Sequence, residues 1–291
     1  MLHFVYNPVS GKGRTTRTLK KLTRYCDRNG AQYVVHKTEY AGHIKTIIAE
    51  LEAQGGADVV VLGGDGTFHE ALNSITDFDR IRLGLIPCGS GNDFVSSGNF
   101  HKGKPLRMLK IILAGKTKKI DYIQFDCGLR CLNIAGTGLD IEVLKVARAY
   151  RRLTGSPNYI GALLRVIKNF DPYTVTVTAD GETRDYSCIL VAAANGTQFG
   201  GGIKVSPLSS ISDGKLDLMI IKMVERSRIK YIVPQFIIGK HIGKDFAVHE
   251  RVDRIEVTSP NKMLLELDGE TYNVPFACSV VPQALTIFYE D

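Results

Sequence analysis

The chain has 291 residues, of which 44% are hydrophobic and 23% charged, and its formal net charge is +7. Those fractions suit a folded protein with a sizeable core, and at roughly 150 residues per domain they leave room for one large domain or two. The excess positive charge favours a polyanionic partner such as a nucleotide or an anionic membrane surface, while the absence of Trp and of aromatic–basic interleaving argues against nucleic acid.

The N-terminal run Met1–Tyr6 reads as a strand and not as a secretory leader, because it lacks a basic n-region and its apolar character stops at Asn7-Pro8. Strands are expected at Leu2–Tyr6, Gln32–Lys37, Asp58–Leu62 and Arg82–Ile86, alternating with helices at Thr15–Asn29, His43–Gln54, Thr67–Ser74 and Leu106–Ala114. This rhythm over residues 1–119 predicts an α/β domain of Rossmann-like type, with an open, mostly parallel sheet that binds ligands at the carboxyl ends of its strands.

From residue 120 the pattern changes to strands at Ile120–Asp126, Arg130–Ala135, Thr174–Thr178, Ser187–Ala193, Lys215–Met223, Arg251–Ser259, Lys262–Leu267 and Thr271–Val280. Asp-Gly pairs at 180–181 and 268–269 mark two hairpins. An all-β, sandwich-like domain is expected over 120–291, interrupted by helices at about Asp140–Arg152, Tyr159–Phe170 and Ser227–Gly239, with the last strand returning to the first domain.

No apolar run approaches the roughly 18 residues of a membrane-spanning helix, so a cytoplasmic protein with at most peripheral membrane contact is expected. The six cysteines lack metal-binding spacing and read as reduced thiols.

Chemistry concentrates in a few glycine-rich segments. Val59–Leu62 runs into Gly63-Gly64-Asp65-Gly66-Thr67, where three glycines in four positions leave main-chain N–H groups unshielded at a helix start, a phosphate-binding arrangement. An aspartate there would be repelled by phosphate unless it faced a metal, a water or a hydroxyl, which makes Asp65 a candidate catalytic acid. Asn7-Pro8-Val9-Ser10-Gly11-Lys12-Gly13 follows the first strand and puts a lysine among small residues, without the spacing of a P-loop. Pro87-Cys88-Gly89-Ser90-Gly91-Asn92-Asp93-Phe94 adds a second carboxylate in a glycine turn. The loop Ser206–Asp217 offers carbonyls, hydroxyls and Asp213, and Leu267-Asp268-Gly269-Glu270 places a glutamate beyond a hairpin turn.

Together these segments, in this order and spacing over nearly the whole chain, resemble the diacylglycerol kinase catalytic domain family, in particular the short bacterial lipid kinases. That family shares a fold core with sphingosine and NAD kinases. The resemblance implies an NAD-kinase-type α/β domain followed by a β-sandwich domain, with ATP and the active site in the cleft between them.

It further implies that Asn7, Ser10, Gly11, Lys12, Gly63, Gly64, Asp65, Gly66 and Thr67 contact the ATP phosphates, with Thr38, Ser90 and Asp93 around the nucleotide. Asp65, Asp93 and Asp213 would organise Mg2+ through water, and Ser210 and Lys215 would add main-chain oxygens. Glu270 would be the general base, its pKa raised in a closed cleft.

The implied reaction is transfer of the γ-phosphate of ATP to a lipid hydroxyl, read here as diacylglycerol giving phosphatidic acid. Phosphatidylglycerol, a sphingoid base or a polyprenol are alternative acceptors. A soluble NAD-type kinase and a non-catalytic nucleotide-binding sensor are the rival readings.

Apolar helices around 140–170 and 231–238 sit beside Lys145, Arg148, Arg151, Arg152, Arg165, Lys168, Lys230 and Lys240. Such a surface suits an anionic leaflet, at about 1 kcal/mol for each basic residue near it. Exposed sheet edges would accommodate a homodimer.

Overall fold

Short apolar runs closed by Asn-Pro, Gly or Pro form three of the parallel strands of the first unit. The computed structural model describes residues 1–89, 91–98, 100–154 and 158–290, with the backbone alone for Lys12 and residues 151–154. In it β1 (Leu2–Tyr6), β2 (Tyr33–Lys37), β3 (Ala57–Gly63) and β4 (Ile81–Pro87) lie in the order β2-β1-β3-β4, all parallel.

Val59, Val60, Val61 and Leu62 are fully buried, so this central strand is covered on both faces. A strand so placed can be an unbroken apolar run with no polar alternation. The cover comes from α1 (Arg14–Arg28), α2 (His43–Ala53), α3 (Asp65–Ser74) and α4 (Pro105–Leu113). On α1, Thr15, Leu19, Leu22 and Cys26 recur at helical spacing and form the buried stripe, which leaves its basic residues for solvent.

The chain leaves this unit along β5 (Thr117–Phe125) and re-enters along β15 (Phe276–Phe288). The two compact units are Met1–Asp121 with Gln283–Asp291, and Tyr122–Pro282. Within the first unit the re-entering strand lies parallel to β4, pairing Ile287 with Leu83. Beside the exit point the buried Asp121 accepts a hydrogen bond from Gln283 N (2.7 Å).

The second unit contains β6 (Arg130–Cys131), β7 (Ile134–Gly138), α5 (Leu139–Thr154), α6 (Tyr159–Val166), β8 (Tyr173–Ala179), β9 (Glu182–Ala194), β10 (Leu216–Lys222), α7 (Ile229–Ile238), β11 (Ala247–Val252), β12 (Arg254–Thr258), β13 (Leu265–Leu267) and β14 (Glu270–Tyr272). Its pairings are antiparallel, and β9 lies at the centre with partners β7, β8 and β10.

Alternate side chains of β9 and β10 enter two different cores. Cys188, Val191, Ala193, Leu218 and Ile220 pack with the other strands, whereas Ile189, Ala192, Met219 and Ile221 pack under α5, α6 and α7. The helices read as interruptions of a β-domain are therefore the second cover of its sheet.

Two expected strands are each broken in two, and an aspartate at a hairpin tip sits at each break. Asp268, with φ +50°, accepts from Leu132 N and Asn133 N (2.9 Å each), which separates β6 from β7 where one strand Arg130–Ala135 was expected. Asp180, with φ +48°, accepts from Asp253 N and Arg254 N (2.9 Å each), which separates β11 from β12 within the expected Arg251–Ser259. The expected strand Thr271–Val280 also divides, into β14 and the start of β15, around Pro275, which has no N–H for a ladder.

At the start of α5 the buried Asp140 accepts from Ile141 N (2.9 Å) through one oxygen, while Oδ2 has no hydrogen-bond partner. Gly136 makes the room, because a Cβ there would lie 2.2 Å from Oδ2. Burial raises this carboxyl from its ordinary 3.8 to about 7.

Between those two values the folded state binds more protons than the unfolded chain, so stability falls as pH rises from 3.8 to about 7 and stays low above it. Asp140→Asn keeps the acceptor for Ile141 and removes the titration. Urea unfolding should show the parent less stable at pH 8 than at pH 5 by an amount on the order of a few kcal/mol, with that difference reduced in the variant.

Candidate active site

Three glycine-bearing loops of the first unit follow the carboxyl ends of β1, β3 and β4 and pack against one another. After β1, Asn7 Oδ1 accepts from Val9 N (3.0 Å), Asn7 O accepts from Ser10 N (3.2 Å), and the Thr15 hydroxyl bonds Asn7 O and Ser10 O (2.9 and 2.8 Å). The loop ends in a single 3-10 turn, Ser10–Gly13, where Gly11 has φ +62° and a Cβ would lie 2.3 Å from Cys88 O. The first and third loops thus meet backbone to backbone. Arg14 ties them further, donating from Nε to Gly11 O (3.1 Å) and from Nη2 to Gly89 O (3.3 Å).

The second loop meets the third in the same way. Gly63 O accepts from Cys88 N (2.7 Å) and Gly89 N (3.2 Å), and a Cβ on Gly89 would lie 2.6 Å from Gly64 Cα. A Cβ on Gly63 would lie 2.4 Å from the Thr67 side chain, so the first turn of α3 folds directly over that glycine. Asn92, with φ +54°, accepts from Gly89 N (3.0 Å) and donates from Nδ2 to Gly89 O (2.9 Å), which closes the third loop on itself. Cys88 in this loop is buried, and burial pushes its thiol up, so it packs and does not serve as a nucleophile.

The two carboxylates converge on Gly91. A Cβ there would lie 3.1 Å from Asp65 Oδ2 and 3.3 Å from Asp93 Oδ2. Asp65, in the first turn of α3, accepts from Phe94 N (3.3 Å) through its other oxygen, and Asp93 is buried. Lys102 donates to Gly91 O (2.7 Å) from outside the loop. Paired carboxylates beside a helix N-terminus and glycine backbone are able to hold a hard cation next to a phosphate. Thr38 is buried at the end of β2, and both its N–H and its hydroxyl bond Tyr6 O (3.0 and 3.4 Å). Ser90 and the side chain of Lys12 lie outside the described residues.

In the second unit the Ser210–Asp217 loop turns at Gly214, with φ +74°. Asp213 accepts from Lys215 N (3.2 Å) and forms an ion pair with Arg251 of β11, while Lys215 Nζ pairs with Asp253 (2.7 Å). Among the described residues no group of three or more His, Cys, Asp or Glu is placed to hold a metal. A cation at Asp213 would therefore take main-chain oxygens and water besides one carboxylate, a hard-donor set that fits Mg2+. It would compete with Arg251 for that carboxylate.

Glu270 opens β14, with its side chain 53% exposed, and pairs with Arg148 of α5 (2.9 Å). Within the second unit it is an exposed carboxylate and not a buried one. Arg148 also departs from expectation, since it engages the hairpin. Arg14, Lys102 and Asn92 were not singled out from sequence. Arg14 directly follows the first glycine loop, a usable signal, whereas nothing local marks Lys102.

A cavity of about 880 Å³ opens between α6 and α7, lined by Leu164, Ile167, Val233, Pro234, Ile237 and Ile238 among others. Its charged lining residues are all basic: Lys168, Arg226 and Lys230.

Comparison with known proteins decides the family. Residues 1–125 match the diacylglycerol kinase catalytic domain, and residues 133–289, more than half of the chain, match the YegS C-terminal NAD kinase beta sandwich-like domain. The chain belongs to the bacterial diacylglycerol kinase-like lipid kinase family.

Family membership makes it a kinase with an alcohol group as acceptor. A curated relative, the diacylglycerol kinase of Bacillus subtilis strain 168, is 28% identical over 268 residues, covering 91% of this chain and 88% of the relative. The diacylglycerol kinase of Mycobacterium tuberculosis is 28% identical over 287 residues, covering 97% and 92%.

Among solved structures, a diacylglycerol kinase from Bacillus anthracis strain Sterne has a TM-score of 0.76 at 20% identity, covering 99% of this chain and 96% of that one. An NAD kinase from Archaeoglobus fulgidus in complex with ATP has a TM-score of 0.53 at 12% identity, covering 100% and 94%. These two likenesses concern the fold, an N-terminal α/β domain and a C-terminal β-sandwich domain.

Proposed function

We propose that the chain transfers the γ-phosphate of ATP to the free hydroxyl of diacylglycerol, giving phosphatidic acid and ADP, at the surface of an anionic membrane. The observation that carries this reading is the convergence of Asp65 and Asp93 on Gly91, among three close-packed glycine loops that follow parallel strands beside the N-terminus of α3. The N-terminal turn of α3, packed beside the loops around Gly11 and Gly89, binds the nucleotide phosphates, with Lys12 adding a point charge.

The metal-directing carboxylates are Asp65 and Asp93 in the first unit and Asp213 in the second, where Ser210 and Lys215 add main-chain oxygens. When bound, Mg2+ would supply charge neutralisation on the phosphates. The acceptor oxygen attacks the γ-phosphorus, the bond from that phosphorus to the ADP oxygen breaks, and Glu270 takes the hydroxyl proton.

The cavity between α6 and α7 supports a lipid acceptor, because its apolar walls suit an acyl chain and its basic residues suit phosphate groups of a bilayer. No described helix is long and apolar enough to cross a membrane, so contact would be peripheral on helical grounds. Exposed Leu164, Tyr231 and Ile238 are apolar residues on those two helices. On the strand side, β2 exposes Val34 and Val35 at the end of the first sheet, which supports a homodimer contact.

The test is phosphatidic acid formation from diacylglycerol in mixed micelles with labelled ATP. The parent should form it, and Asp65→Asn should lower kcat by about two orders of magnitude or more with an unchanged circular dichroism spectrum. Phosphorylation of NAD and no lipid product would contradict the reading, and no turnover of any acceptor would favour a sensor.

A second measurement concerns Asp213. Titrating Mg2+ should raise the Tm of the parent, raise it more in Arg251→Gln, where the competing cation is gone, and hardly at all in Asp213→Ala. An undiminished rise in Asp213→Ala would place the metal elsewhere.

A further inference from the structure

The hairpin that carries Glu270 is held more firmly than an exposed Asp-Gly turn requires. Asp268 accepts from Leu132 N and Asn133 N (2.9 Å each) and from the Cys131 thiol (3.1 Å). Glu266, buried on β13, accepts from Gly269 N. These contacts fix the turn and its seat on the sheet without help from α5.

Arg148 adds a third anchor from an element 122 residues away in sequence, donating from Nη2 to Gly269 O (2.7 Å) and to Glu270 Oε2 (2.9 Å). Its side chain is 45% exposed and that of Glu270 53%. An ion pair so exposed contributes about 0–1 kcal/mol, so stability gives little reason for it. What the pair does fix is the direction of one carboxylate. A guanidinium that holds both the carbonyl of the turn and the carboxylate next to it leaves that side chain few rotamers.

We propose that Arg148 is the positioning residue of Glu270, an inference that rests on the reading of Glu270 as the base. Arg148 holds Oε2, so that Oε1 faces the acceptor hydroxyl and takes its proton as the oxygen–phosphorus bond forms and the bond to ADP breaks. Tyr272 on the same strand senses this carboxylate, since after burial the Glu270 charge is the largest influence that pushes its phenol up. Among the described residues no other cation pairs with Glu270.

The experiment measures kcat, KM for ATP and Tm in Arg148→Met, Arg148→Lys, Glu270→Gln and the double variant Arg148→Met with Glu270→Gln. Arg148→Met should lower kcat about ten- to a hundredfold, with KM for ATP and Tm nearly unchanged, because the base is displaced and the nucleotide site is not. Arg148→Lys should recover most of the loss, since one nitrogen serves both oxygens in the parent.

On a Glu270→Gln background the Met substitution should change kcat by less than about twofold, as expected for two residues acting through one group. A full additive loss, a loss that Lys does not recover, or a wild-type kcat in Arg148→Met would overturn the positioning role. A wild-type kcat in Glu270→Gln would instead sink the assignment of the base, and with it the inference.

Discussion

The arrangement of the first unit depends on backbone approaching backbone where any side chain would intervene. Gly64 and Gly89 lie so close that a Cβ on the second would sit 2.6 Å from the Cα of the first, and Gly11 meets Cys88 O in the same manner. Because the loops touch in this way, the carboxylates of Asp65 and Asp93 come to the same glycine from two different strands. Substituting one glycine would move a carboxylate and not merely fill a gap. The buried β3 and β4 supply the rigidity that holds the loop ends in register.

The second unit solves a different problem, which is to hold functional loops on a sheet covered by helices over part of one face. From Cys188 to Ala194 β9 is apolar on both sides, as are the core positions of β10, so α5, α6 and α7 have a surface to pack on. Two hairpin aspartates stitch neighbouring strands through consecutive main-chain N–H groups, and one of these hairpins carries Glu270. Carboxylates that accept main-chain N–H groups form charge-assisted bonds, stronger than neutral ones. The same helix α5 that packs on the sheet delivers Arg148 to the hairpin tip.

Much of this was legible in the sequence, for identifiable reasons. The parallel strands read clearly because runs such as Val59–Leu62 are continuous and bounded by glycine, and the α/β and β-sandwich classes followed. The hairpins read from Asp-Gly. The strand breaks at 132–133 and 253 did not, because each lies opposite an aspartate that is distant in sequence, 136 and 73 residues away. Glycine motifs pointed to Asp65 and Asp93 as site residues but not to their meeting at Gly91, which only the packing of two loops produces. Arg148 was read as a surface cation because helix periodicity says which residues are exposed and nothing about what an exposed residue touches.

If the close-packed glycine loops of the first unit are the nucleotide phosphate site, their packing must control ATP affinity. Isothermal titration of ATP with Mg2+ into the parent and into Gly89→Ala tests it most directly, because the added methyl acts on loop packing without removing any charge. The parent should bind ATP and the variant should lose at least about tenfold in affinity, with secondary structure retained. Equal affinity in the two proteins would contradict it.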